Sequence, residues 1–355
     1  MRWMPLVVVL LACGDPKDKP DAAQTPDTPP MVDAPIDADP NNPMTLMDTG
    51  LCVDAACMQI APGIKAYKPQ FELYSDGATK KRWIYLPPST QINTSNMDFW
   101  EFPVGTKLWK EFTRGSVRVE TRLVMRISDS NPVPANDWFY VAFVWNSTQD
   151  ATVAERFGVP DANGTEHDVP SRAQCKECHD KLPPSRVLGF SAIQVDWDDP
   201  DASAYDLAGL VADNKLTNPP PPPTVPGPYF PVPGRANIER PALGYLHANC
   251  GTCHNPNSSV YIDNGVLMQL RLTTGTLGSL AATTVYTTAV GVNATTTCCD
   301  GNIVTKLVEP TQPDQSAVTV RFESTNPAQR MPAVGTEVMD PTGRTTLRTW
   351  ITNIP

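Results

Sequence analysis

The chain is short of histidine, of positive charge and of long apolar runs, and each shortage narrows what it can do. Only four histidines occur in 355 residues, so any imidazole ligand has to be found among four positions. Lys and Arg number 28 against 38 Asp and Glu, a formal net charge of −10. With no basic patch to offset that excess, non-specific nucleic-acid binding is excluded. Beyond the first dozen residues no stretch is long and apolar enough to span a bilayer as a helix. Residues 66–150 contain no paired acids, no nucleophile beside a base and no glycine-rich phosphate loop. No internal repeat is visible beyond one five-residue motif that occurs twice.

Proline, by contrast, is abundant: 38 residues, which implies many short elements and long loops. At the N-terminus, one early positive charge and a short apolar run end in Leu10-Leu11-Ala12-Cys13. This reads as a secretory signal, and its last four residues resemble the lipobox of bacterial lipoproteins, in which the cysteine becomes the lipid-modified first residue. Residues 1–13 are then the signal ending at lipidated Cys13; an ordinary signal peptide is the plainer alternative. Residues 14–43 hold eight prolines and seven aspartates and too little apolar surface to offset ordering entropy. A disordered tether follows, reaching up to about 90 Å at polyproline spacing.

The remaining three hundred or so residues, in a chain that is 41% hydrophobic, can build a sizeable core. Residues 117–127 alternate apolar and charged side chains, the pattern of a half-buried strand, and residues 138–145 are apolar throughout, as in a strand covered on both faces. Further strands are expected at 82–86 and 107–112, with turns at Ser75-Asp76-Gly77, Pro103-Val104-Gly105 and 131–137. The expected class is α+β: an N-terminal all-β, sandwich-like domain over 44–160, a first-motif segment with a proline-rich linker over 161–235, and a mainly α, loop-rich unit over 236–355.

The repeated motif is C-x-x-C-H, at Cys175-Lys176-Glu177-Cys178-His179 and Cys250-Gly251-Thr252-Cys253-His254. Two thiols spaced by two residues at a helix end can each bond one vinyl group of a porphyrin, and the adjoining imidazole then meets the iron; this is the attachment signal of c-type haem. A zinc site would want four grouped ligands, and a thioredoxin-like pair would follow a strand in a βαβ unit. The expectation is two covalently bound haem c groups with Cys175, Cys178, His179 and Cys250, Cys253, His254 as attachment and proximal residues.

Around the second motif, Ala242, Leu246 and Cys250 fall on one helix face, and Leu347, Trp350 and Ile351 repeat at helical spacing near the C-terminus. This arrangement resembles a class I cytochrome c domain, in which the first and last helices pack together. The resemblance implies that Met331, in Arg330-Met331-Pro332, is the sixth iron ligand there, with Met339 as the fallback. For the first haem the distal ligand is open: His247 first, then His167, with Met125 and Met268 behind them, or no ligand at all. Setting aside Cys13 and the four motif cysteines, Cys52, Cys57, Cys298 and Cys299 remain of the nine. In an oxidising compartment these form two disulfides, either Cys52–Cys57 with Cys298–Cys299 or two bridges joining the segments.

Three segments, Phe71-Glu72-Leu73-Tyr74-Ser75-Asp76-Gly77, Phe102-Pro103-Val104-Gly105-Thr106 and Val119-Glu120-Thr121-Arg122-Leu123, together resemble a family of exported bacterial dihaem c-type cytochromes of unassigned role. The likeness covers roughly residues 64–355. It implies an electron-transfer protein rather than an enzyme, accepting electrons from an exported dehydrogenase or passing them to other cytochromes, with the membrane touched only through the lipid anchor and no nucleic-acid partner. The alternatives are a dihaem peroxidase-like enzyme with an open first haem, against which the motif starts only 75 residues apart weigh, and a partner- or glycan-binding module.

Overall fold

The computed structural model describes residues 42–129, 137–201, 203–263, 265–294 and 304–355. Cys13, the tether up to Asn41, and Cys298 and Cys299 therefore lie outside the described residues.

Six strands form one antiparallel sheet in chain order: β1 (Lys65–Ala66), β2 (Thr79–Tyr85), β3 (Lys107–Arg114), β4 (Val117–Arg126), β5 (Trp138–Trp145) and β6 (Thr152–Glu155). Each strand after the first turns back on its predecessor. The Ser75 carbonyl accepts from Ala78 N–H, with Gly77 at φ 74°, and the Pro103 carbonyl accepts from Thr106 N–H, with Gly105 at φ 88°; positive φ is why glycine occupies both corners. A register shift between Phe112 and Thr113 marks a bulge between β3 and β4.

The expected sandwich is corrected: among the described residues there is one sheet, not two. Its two faces are covered by loops and short helices. On one face Trp83, Trp109, Leu123, Val141 and Phe143 pack under Leu46, Leu51 and Cys52 of the N-terminal segment. There the Trp109 indole donates to Thr49 Oγ1 (3.0 Å), and the Cys52–Cys57 disulfide closes the loop. That disulfide satisfies one of the two pairings expected from the sequence and rules out bridges from Cys52 or Cys57 to the distant pair. On the other face Ile84, Leu108, Val124, Trp138 and Tyr140 share a core with Val187, Phe190, Val195, Leu207 and Leu210. The expected boundary at residue 160 is thus not a core boundary, because residues 187–216 complete the core of the sheet.

The helices are α1 (Arg172–His179), α2 (Ala192–Val195), α3 (Leu207–Ala212), α4 (Glu239–Asn249), α5 (Ser259–Ile262), α6 (Thr284–Thr288), α7 (Ala317–Glu323) and α8 (Pro341–Thr352). Among the described residues none is long and apolar enough to cross a membrane. The helix α8 starts where Asp340 accepts from Thr342 N–H (2.9 Å) with Pro341 in the first turn, a favoured N-terminus. Its Leu347, Trp350 and Ile351 are fully buried with Ala242, Leu243 and Leu246 of α4, as the helical spacing predicts.

The helix α4 is also pressed against the β region. A Cβ on Gly244 would lie 2.0 Å from Phe71 Cδ1. Gly244→Ala is therefore expected to destabilise the protein by about 1–3 kcal/mol through overpacking. Urea melts measure this, and an unchanged midpoint would contradict the close approach.

Candidate haem sites

The first motif occupies α1 itself. Its start is fixed by a capping box: Ser171 Oγ accepts from Gln174 N–H, and Gln174 Oε1 accepts from Ser171 N–H (2.8 Å). Cys175 packs against the core shared with the sheet, and the His179 ring lies 5.0 Å from that of Tyr140 on β5. His179 Nδ1 is 2.5 Å from the Arg186 carbonyl oxygen. A carbonyl only accepts, so Nδ1 carries the proton and Nε2 keeps its lone pair, the tautomer a metal-binding imidazole needs. Burial, Lys110 and Arg122 lower its pKa to about 3, against the opposing Arg186 carbonyl, so the ring is neutral at physiological pH.

The second motif follows α4. Cys250 N–H donates to Leu246 (2.9 Å) and His254 N–H to Cys250 (2.9 Å), continuing the turn into the motif. A Cβ on Gly251 would meet the His247 carbonyl oxygen at 2.6 Å and Arg271 Cα at 2.8 Å, so glycine lets the segment around Arg271 lie against the motif. His254 Nδ1 is buried short of a full hydrogen bond. Burial and the Arg321 charge lower its pKa to about 4, opposed by the nearby Met268 backbone.

The two motifs sit side by side. Buried Asn255 donates to Gly251, Thr252 and, across the gap, the Lys181 carbonyl (3.2 Å); Asn257 donates to the Pro183 carbonyl (3.1 Å), and Lys181 Nζ to Ser259 Oγ. All four motif thiols are unpaired and half-buried. Burial raises the pKa of Cys175 and of Cys178 to about 11 and that of Cys250 to about 12, and it raises Cys253 as well. The Cys253 thiol adds to the shift at Cys178, which shows how near the motifs are. The shift is opposite in direction to the depressed pKa of catalytic dithiols. Among the described residues no three His, Cys, Asp or Glu are grouped to hold a bare metal ion.

Between the sheet, the loop after the first motif and the end of α4 lies a small cleft of about 20 Å³. One wall is apolar, with Pro69, Phe71, Leu73, Leu182 and Leu188. The polar side carries Arg82, Lys110, Arg271, His247, Gln194 and Thr252, with no acidic residue. Two buried donor-side nitrogens there, His247 Nε2 and Arg271 Nε, have no hydrogen-bond partner. Apolar surface, cations and orphaned donors in one cleft fit the chemistry of carboxylates carried on an apolar macrocycle such as haem.

The sequence-predicted distal ligands fare differently. His247 Nδ1 accepts from Leu272 N–H (3.0 Å), and its pKa is far below the usual value through burial and Arg271. The neutral ring therefore carries its proton on Nε2, which makes that nitrogen a donor; ligating an iron through it would require breaking the Leu272 bond. His167 is engaged through Nε2 by Glu120 Oε1 (2.7 Å). Met125 packs with Trp109 and Leu123 on the face of the sheet away from Tyr140 and the first motif. Met268 packs in the core of the second motif's unit.

Met331 is half-buried, and its N–H donates to the Arg321 carbonyl (2.9 Å), the residue whose charge acts on His254. Met339 is 37% exposed and less suited. The sequence did not reveal Asn255, Glu120 or Lys110. Asn255, directly after C-x-x-C-H, gave no signal; the other two depend on strand register. Comparison with protein-family models, with curated proteins and with solved structures finds no match to this chain.

Proposed function

We propose that this is an exported, lipid-anchored dihaem c-type cytochrome that passes single electrons from an exported dehydrogenase to a further acceptor such as another cytochrome. The observation that carries the reading is the pair of C-x-x-C-H segments packed against each other, each with unpaired, protonated thiols and a buried neutral histidine. Haem, when bound, supplies a reversible one-electron centre. Cys175 with Cys178, and Cys250 with Cys253, would hold one haem each. His179 and His254 would be the proximal ligands, and Met331 the sixth ligand of the second iron.

The protein's part is positional. Arg186 fixes the tautomer and aim of His179, Asn255 ties the motifs together, and α4, which leads into the second motif, is held by its shared core with α8. Held by His254 and Met331 together, the second iron would favour electron transfer over chemistry at the metal.

A second reading, peroxidase-like reduction at the first haem, is favoured by the engagement of His167 and His247 elsewhere. An anaerobic redox titration tests the first reading: two reversible one-electron couples are expected, and a protein with none would overturn it. Met331→Ala is expected to abolish the sulfur–iron charge-transfer band of the second haem and leave the first haem's spectrum unchanged. A band that survives would refute that ligand.

A further inference from the structure

Cations face one another across the middle of the sheet. The register sets Arg82 of β2 opposite Lys110 of β3, and Lys110 opposite Arg122 of β4. By the alternation of side chains these three share the face of Ile84, Leu108 and Val124, the face turned to the first motif. Like charges directly opposed destabilise a sheet, so a row of three calls for carboxylates. Arg122 has Glu120, and Arg82 has Glu72 at 3.3 Å. Lys110 has no carboxylate or other hydrogen-bond acceptor among the described residues.

Arg271 reaches only the Asp98 carbonyl (3.0 Å), leaving its Nε unbonded, and His247 Nε2 is a buried donor with nothing to receive it. Lys110, Arg271 and His247 line the same cleft. Every unsatisfied group there is a donor.

We propose that this cleft receives the two propionate carboxylates of the haem carried by the first C-x-x-C-H segment, with Lys110 and Arg271 as charge partners and His247 Nε2–H as a further donor. The inference rests on the haem reading above. A haem is an apolar plate with two carboxylates on one edge, and the cleft has the matching parts: an apolar wall, Lys110 without a carboxylate, and Arg271, which has Asp98 near it but an unbonded Nε. The first haem is the one concerned because the Lys110 face of the sheet shares its core with Cys175, and Leu182 and Leu188, just past that motif, line the cleft. Burial beside Arg82, Lys80 and Arg122 pushes the Lys110 pKa far down; a carboxylate within hydrogen-bond reach would restore its charge.

The test uses the full mature protein with its haem, comparing Lys110→Met and Lys110→Arg. Lys110→Met removes a desolvated charge at nearly constant volume and is expected to fold. Its first haem, the one without the sulfur–iron band, should shift about tenfold toward the ferric form, a potential lower by about 59 mV, because a nearby positive charge favours the ferrous state. Its propionate bending mode in resonance Raman should move as well. Lys110→Arg should leave both within about twofold of the parent.

Intact mass separates failure of the haem reading from failure of the propionate assignment. No attached haem in the parent protein would sink the haem reading itself. Two attached haems with an unmoved couple in Lys110→Met, or a shift only in the sulfur-ligated haem, would overturn the propionate assignment alone. A changed spin state in Lys110→Arg would also overturn it, by making Lys110 an iron ligand. Arg271→Gln tests the second charge partner by the same readouts, so a misfolded Lys110 variant leaves the assignment open to refutation.

Discussion

Low-temperature EPR of the oxidised protein is expected to show one low-spin and one high-spin ferric haem, and an added small ligand such as imidazole or azide should convert the high-spin signal alone. The reason lies in what the side chains near the first motif already do. His167 gives Nε2 to Glu120, and His247 takes a proton-bearing hydrogen bond from Leu272 on Nδ1, so its Nε2 is a donor. Met125 is on the opposite face of the sheet, and Met268 belongs to the core of the second unit. None of the four is free to complete the coordination of an iron held by His179. At the second motif the Met331 N–H bonds the Arg321 carbonyl, and the Arg321 charge lowers the His254 pKa; with Met331 as the proposed ligand, that site is expected to be low-spin. Two low-spin signals that persist in a His247→Gln variant would mean that an unrecognised side chain binds the first iron. Loss of one low-spin signal in that variant would mean that His247 breaks its Leu272 bond and ligates after all.

Glu120→Ala is expected to lower stability by about 3–5 kcal/mol, a large fraction of what a domain has. Glu120 is fully buried on β4, in a charged contact with Arg122 and 2.7 Å from His167 Nε2. Removing it leaves the Arg122 guanidinium among Lys110 and Arg82 without its carboxylate. Burial alone would raise the Glu120 pKa, but the Arg122 charge and the hydrogen bonds from His167 and Arg122 outweigh it and lower the pKa below 4.5. The sign follows: a carboxyl with a depressed folded pKa contributes fully above the ordinary carboxyl range and loses that contribution as pH falls through its folded pKa. Urea melts of parent and variant should therefore differ most near neutrality and converge in acid. A gap of under 1 kcal/mol at pH 7 would contradict the structural role given to Glu120.

How much of this was legible depended on whether a feature was local. The strand at 138–145 falls on its predicted bounds, since an unbroken apolar run with a strand's length has few other fates. Residues 342–351 form a helix because proline, a capping aspartate and helical spacing agree. Both C-x-x-C-H motifs carry their meaning in five residues. The sandwich expectation failed because what covers the sheet comes from residues 44–64 and 187–216, which lack the periodicity of strands and are distant in sequence.

The role of His247 was illegible for a different reason. It turns on which ring nitrogen meets a backbone N–H 25 residues away. The cation row Arg82–Lys110–Arg122 exists only once register is set, and a bulge at Phe112 shifts that register within the same hairpin. Chemistry written in consecutive residues can be read directly; chemistry written across strands waits for the fold.

Whether each C-x-x-C-H segment carries a haem decides the proposed function. Proteolysis of the mature protein followed by peptide mass spectrometry tests it most directly. Two peptides are expected, one containing Cys175 and Cys178 and one containing Cys250 and Cys253, each heavier by the mass of one haem and each absorbing in the Soret region. Motif peptides at their unmodified mass, or joined as C-x-x-C disulfides, from protein made in a host able to mature c-type cytochromes would contradict it.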